Sequence, residues 1–247
     1  LPCLRNRRTL TAPDGAVKRR HRCARSSYRD EGIRDKNNAW DWRPVRRHCM
    51  TGRMEEIKAL CVYCGSQKGT DPRYAELARA LGVDLARRGI TLIYGAGGIG
   101  LMNEVADAVL AAEGQVVGII PEHLARAEVQ HDGLSEIVIV DSMHERKQIM
   151  FERADGFVVL PGGLGTLDEF FEILTWRQIG LHDKPVVILD CAGYWAPLKT
   201  LLDQVVSQGF APPSSHDLYH FADSVAQLFD ILEAAPEPSL SAPTERF

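Results

Sequence analysis

The chain has 247 residues, 45% of them hydrophobic and 25% charged, with a formal net charge of −4. This is the balance of a globular protein, and no run of about 18 apolar residues is present that could cross a membrane as a helix. Six cysteines without regular spacing exclude a disulfide framework and imply free thiols in a reducing, cytoplasmic setting.

The net charge conceals two different materials. Residues 1–53 hold 15 Lys and Arg against 5 Asp and Glu, whereas the remainder holds 14 against 28. The basic stretch shows no apolar periodicity, and its composition cannot bury enough surface to offset chain entropy, so it is expected to be disordered. It reads as a nucleic-acid arm, as a transit peptide, or as upstream sequence outside the working protein. Five acidic residues count against a transit peptide. The third reading is favoured, because Met54 opens "MEEIKALCVYCGS" just ahead of the first strand and the chain begins at Leu1. Nucleic acid is accordingly not an expected partner.

From residue 57 the pattern is regular. Apolar runs predict strands at 57–63, 90–94, 115–120, 136–140, 156–160 and 185–190. Helices are predicted from Asp71-Pro72 to about 88, then at 99–113, 143–154, 166–180, 194–208 and 222–234. The strands are continuously apolar, as a parallel sheet covered on both faces requires. The alternation predicts a single α/β domain over 54–234, an open Rossmann-like parallel sheet with helices on both faces. A Pro- and Ser-rich tail over 235–247 is expected to fray. Cys61 and Cys64 form a C-x-x-C inside the first strand, where they would point to opposite faces; no second pair completes a zinc site.

Two glycine turns fall at strand ends, where such sheets bind ligands. Gly95, Gly97 and Gly100 match G-x-G-x-x-G, and Glu122 lies where a ribose-binding acid could stand. The motif follows the second strand, however, and a dinucleotide fingerprint belongs after the first. Pro161-Gly162-Gly163-Leu164-Gly165-Thr166 makes a second anion cradle with a hydroxyl, so a monophosphate gripped between the turns explains the pair better than a dinucleotide. No Walker P-loop is present. Thr166 and Glu169 also have capping-box spacing, as do Ser142 and Glu145, which offers Glu169 a purely structural role. Arg146, in the first turn of a helix, sits where the dipole disfavours a cation and calls for an anionic ligand or a carboxylate partner.

The segments "YGAGGIGLM", "SMHERK", "PGGLGTLDE" and "TWRQIGLHDKPV" closely resemble the LOG ("Lonely Guy") family of cytokinin riboside 5′-monophosphate phosphoribohydrolases, often labelled lysine decarboxylases. The resemblance runs over about 58–234. It implies a Rossmann-like homodimer that cleaves the N-glycosidic bond of a purine nucleoside 5′-monophosphate, giving free base and ribose 5-phosphate. By motif position it makes Arg146 and Glu169 the catalytic pair. Gly162, Gly163, Gly165 and Thr166 become the phosphate cradle, with Gly97 and Gly98 contributing, and Met143 and Lys147 flank the pocket. No metal or organic cofactor is implied. Ala96 and Asn103 depart from the family's usual "YGGG" and "GLMG", which puts substrate preference in doubt.

Breaking C1′–N9 builds positive charge on the ribose, which a carboxylate near C1′ would stabilise or use to activate water. Glu169 is placed for that role. Arg146 could fix Glu169, bind phosphate or assist the leaving base. Lys147 is the one lysine in a site motif that a pyridoxal-phosphate decarboxylase could use. A non-catalytic nucleotide or cofactor carrier remains the alternative, since it would keep every glycine and have no need of the Arg146–Glu169 pair. Trp176 and Trp195 read as packing residues, with Trp176 near a dimer contact. His144 reads as a surface or capping residue, and His182 as a loop residue.

Overall fold

The computed structural model describes residues 57–125 and 130–236. The basic extension over 1–53 and all but the first two residues of the tail at 235–247 lie outside the described residues. Seven strands form one parallel sheet: β1 (Ala59–Tyr63), β2 (Thr91–Tyr94), β3 (Val116–Pro121), β4 (Glu136–Val140), β5 (Gly156–Val159), β6 (Val186–Leu189) and β7 (His220–Ala222). Seven α-helices accompany them: α1 (Pro72–Arg87), α2 (Gly100–Ala111), α3 (Glu122–Ala125), α4 (Met143–Arg153), α5 (Leu164–Gln178), α6 (Ala196–Ser207) and α7 (Val225–Ala234). The predicted α/β class and six predicted strands are present. The short β7, the four-residue α3 and a 3₁₀ helix at Pro213–Leu218 were not anticipated; each is too short to show a periodicity.

Strand alternation splits the interior into two layers. Leu60, Val62, Leu92, Tyr94, Val158 and Leu160 face one core, closed by Leu81 and Leu85 of α1, Val105 and Val109 of α2, and Phe229 of α7. Cys61, Tyr63, Ile93, Ile119, Phe157 and Val159 face the other, closed by Phe151 of α4, Phe170 and Ile173 of α5, and Leu202 of α6. Each such large side chain contributes about 1.5–3 kcal/mol by leaving water. Cys61 and Cys64 belong to different layers, as their spacing predicts, and both are buried free thiols.

The helix starts follow from local chemistry. Asp71 caps α1 by accepting from Arg73 N at 2.9 Å, with Pro72 at the first helical position. Ser142 caps α4 by accepting from Glu145 N at 3.1 Å, and Glu145 reaches back to Asp141 N at 2.9 Å. The box expected at Thr166–Glu169 is absent. α5 begins two residues earlier, with Gly163 at its N-cap, so Thr166 lies inside the first turn and Glu169 in the second. Leu164 and Gly165 extend the helix because nothing in "GLGT" stops it from starting at once after the glycine turn.

The sheet order is β4-β3-β2-β1-β5-β6-β7. The chain therefore builds outward from β1 to β4, crosses back through α4, and builds the other half from β5. β1 pairs with both β2 and β5, so the loops leaving β1 and β5 diverge in opposite directions and open a crevice at the centre of the sheet's carboxyl edge. Among the described residues no helix is long and apolar enough to cross a membrane.

Candidate functional site

Three loops meet at this crevice. Gly65 N donates to Pro161 O at 3.0 Å, joining the loop after β1 to the loop after β5. Leu101 N donates to Gly65 O at 3.0 Å, joining the start of α2 to the same point. Gly100 has φ of 65°, and a Cβ there would lie 2.2 Å from the Ser66 carbonyl carbon. The third glycine of G-x-G-x-x-G is thus needed for packing on the β1 loop. Gly97 bridges to Gln130, and a Cβ on Gly98 would lie 3.0 Å from Gln130 O. This turn is therefore tied to its neighbours at three points, which fits a scaffold for the crevice better than a dinucleotide cradle.

The second turn is open where the first is closed. Cβ atoms on Gly163 or Gly165 would meet nothing within 4 Å, and Leu164 between them is 86% exposed. Gly163 offers no side chain to cap α5, so the first-turn N–H groups have no side-chain acceptor from the cap. Gly162 is different: a Cβ there would lie 2.1 Å from Thr166 Oγ1 and 2.9 Å from Gly65 N. Its role is to let Thr166, which is buried, fold back under the loop. A cleft of about 210 Å³ runs beside it, lined by Ser66, Lys68, Tyr74, Gly162 and Tyr194 among others, and Tyr194 Oη donates to Gly162 O at 2.6 Å. The "GSQKG" loop forming its floor was not singled out in the sequence. Its only mark there is position, at the end of the strand that proves to be central.

On the other face of the crevice stands Arg146, from the first turn of α4 and 9% exposed. Its Nε donates to Ile119 O and its Nη2 to Gly95 O, both at 3.1 Å. Nη1 meets the sulfur of Met143 at 3.7 Å. These neutral carbonyls, one within β3 and one just beyond β2, hold the guanidinium without cancelling its charge. The carboxylate or anion that its position at a helix start demands is not supplied by a hydrogen bond here, but Arg146 does act on Glu169 through its field.

Glu169 sits half-buried in the second turn of α5. Desolvation raises its pKa to about 7 against the opposing pull of Arg146 and Lys147, with Asp168 and Glu172 adding to the rise. Lys147 donates to Asp168 at 3.2 Å and to Glu172 at 3.0 Å, pinning α4 to α5. Burial works against its charge, but those two carboxylates more than compensate and hold its pKa above the usual lysine value. A Schiff-base lysine must shed its proton, so Lys147 does not fit a pyridoxal-phosphate centre.

The remaining expectations sort by location. Met143 is 39% exposed at the first position of α4. His144 is exposed and His182 lies in the loop after α5, both as expected, but His182 is 1% exposed and packs edge-on against Phe151 and Phe157. Burial lowers its pKa to about 4, and its Nε2 pairs with Ile173 O, so it is a neutral core histidine. Trp176 packs on Phe151, and Trp195 is buried. Ala96 takes φ of 58° and is fully buried, its methyl occupying the space that Gly118 leaves on β3. Asn103 donates to Asp107, which in turn holds His131 at 3.0 Å. These two departures from the family pattern are therefore spent on scaffold contacts.

A family profile described as possible lysine decarboxylase matches residues 102–232. A probable cytokinin riboside 5′-monophosphate phosphoribohydrolase of Oryza sativa subsp. japonica is 44% identical over 72% of this chain and 78% of its own. Two cytokinin riboside 5′-monophosphate phosphoribohydrolases of Arabidopsis thaliana are 42% and 40% identical, each over 72% of this chain and covering 78% and 84% of theirs. Among solved structures, a molybdenum cofactor binding protein from Rippkaea orientalis aligns with a TM-score of 0.56 at 20% identity, over 72% of this chain and 97% of that one. A molybdenum cofactor carrier protein from Chlamydomonas reinhardtii aligns with a TM-score of 0.55 at 22% identity, over 72% and 97%. At those identities the structural likeness shows the fold alone.

Proposed function

The chain belongs to the LOG family of cytokinin riboside 5′-monophosphate phosphoribohydrolases, and we propose that it is an N-glycosyl hydrolase that cleaves a purine nucleoside 5′-monophosphate to free base and ribose 5-phosphate. The observation that carries this reading is the pairing, on one helix, of an open glycine N-terminus with a carboxyl group shifted to about 7 in the second turn. Six residues separate Gly163 from Glu169, about 9 Å along a helix axis. That is a span suited to a 5′-phosphate at one end and an anomeric carbon at the other.

The 5′-phosphate binds the N–H groups of Gly163, Gly165 and Thr166, with Gly162 shaping the turn and Gly97 and Gly98 bracing it. Binding there fixes the ribose at a distance from the reacting bond. As C1′–N9 breaks, its electron pair leaves with the base, which takes up a proton, and the ribose acquires oxocarbenium character. Glu169 as carboxylate stabilises that charge and accepts a proton from the water whose oxygen forms the new bond to C1′. Arg146 and Glu169 are the catalytic pair, with Arg146 holding positive charge beside the carboxylate and the departing base. Met143 borders the base side. Lys147 supports Glu169 from the α4–α5 link. The protein works as a homodimer in the cytoplasm, and light scattering across a concentration series checks the assembly, with a mass twice that of the chain as the expected result.

The chemistry is tested by incubating the protein with AMP and with N6-isopentenyladenosine monophosphate and separating products by chromatography. Equal amounts of free base and ribose 5-phosphate are expected from at least one of them. Nucleotide that binds and returns intact would instead make the protein a carrier.

A further inference from the structure

Gly95 is the first residue beyond β2, and its φ is not in the left-handed region that favours glycine. Backbone conformation therefore does not explain why this position lacks a side chain. Its surroundings do. A Cβ built on Gly95 would lie 1.7 Å from Arg146 Nη2 and 2.9 Å from Cζ. The guanidinium cannot simply swing aside, because Nη2 is bound to Gly95 O and Nε to Ile119 O, and the residue is almost fully buried. Two of its three nitrogens are thus held by backbone carbonyls, one within β3 and one just beyond β2. The third, Nη1, meets only a weak thioether acceptor, on Met143, among the described residues. A guanidinium held this way keeps its positive charge and has one nitrogen to offer a ligand.

We propose that Gly95 is a positioning residue for the glycosidic-bond cleavage: its missing side chain is the socket for the Arg146 guanidinium, and its carbonyl with that of Ile119 locks the group so that Nη1 is presented to the substrate. The first glycine of the G-x-G-x-x-G match thereby serves an arginine rather than a phosphate. This inference rests on the phosphoribohydrolase reading of the site, and it assigns Arg146 a fixed orientation that the reading alone leaves open.

The test is a double-variant cycle of Gly95→Ala, Arg146→Ala and both together, read by melting temperature and by base release. An added Cβ collides with the guanidinium only while arginine is present, so Gly95→Ala should lower the melting temperature in the wild-type background, and the double variant should melt above it. In activity, Gly95→Ala should bring kcat/KM to within about threefold of Arg146→Ala, and the double variant should be no worse than Arg146→Ala alone. A merely structural glycine would give losses that multiply instead, and that result overturns the proposal, as does a Gly95→Ala protein with wild-type rate and stability. If Gly95→Ala fails to fold, a folded double variant supports the socket and an unfolded one overturns it. If wild-type protein releases no base, the functional reading fails, while the melting cycle still decides whether Gly95 seats Arg146.

Discussion

Glu169 loses solvation that a carboxylate needs, and its pKa of about 7 places its proton within working range. Two measurements follow. On the proposed mechanism the carboxylate is the active form of the free enzyme, so kcat/KM should rise with pH to a plateau, with an apparent pKa near 7. Stability should run the other way. Between the ordinary carboxyl value of 4.5 and the folded value of about 7, the native protein holds a proton that the unfolded chain has released, so this group's contribution falls as pH rises through that window. Replacing it by Gln removes the titration. Thermal melts should show Glu169→Gln gaining on wild type by a few degrees from pH 5 to pH 7 and holding that gain above. A wild-type advantage that grew with pH would show that Glu169 is a stabilised carboxylate. In the sequence Glu169 stood at capping-box spacing and could be read as a helix cap. Burial and the charges around it set it apart, and both depend on residues distant in the chain.

The α4–α5 pair decides how that carboxyl is held. Lys147 reaches from one helix to Asp168 and Glu172 on the other, and its charge also pulls down the pKa of Glu169. Lys147→Met should therefore shift the rising limb of kcat/KM to higher pH by a fraction of a unit. It should also lower the melting temperature, because Glu172, with a side chain only 22% exposed, loses its partner. An unchanged pH profile would remove Lys147 from the support of Glu169. The two helices were legible from "SMHERK" and "PGGLGTLDE", and the start of α4 was correctly read from Ser142. The start of α5 was not, since Thr166 looked like a cap and Gly163 is one. A glycine cap leaves no side-chain signature, and it is that absence which leaves the helix end open.

At the scale of the molecule, the order of strands is what brings these helices together. Strand positions were visible in the apolar runs, yet the order β4-β3-β2-β1-β5-β6-β7 was not, because nothing local in the chain says that α4 crosses back to the centre. That crossing puts Arg146 against β3 and the residue just beyond β2, and sets the starts of the β1 and β5 loops side by side. For the same reason the cleft beside Ser66, Lys68 and Tyr194 went unseen, being assembled from loops about a hundred residues apart. The G-x-G-x-x-G match was visible at once and served another purpose, packing Gly100 on the β1 loop and Gly95 on Arg146. The whole account turns on one carboxyl group acting on a nucleotide held by the α5 N-terminus. The measurement that tests it most directly is free-base release from a purine nucleoside 5′-monophosphate by wild type and by Glu169→Gln, with nucleotide binding followed in parallel. The account predicts release by wild type, a loss of roughly 10²-fold or more in the variant, and nucleotide binding in both. Release at equal rates would contradict it.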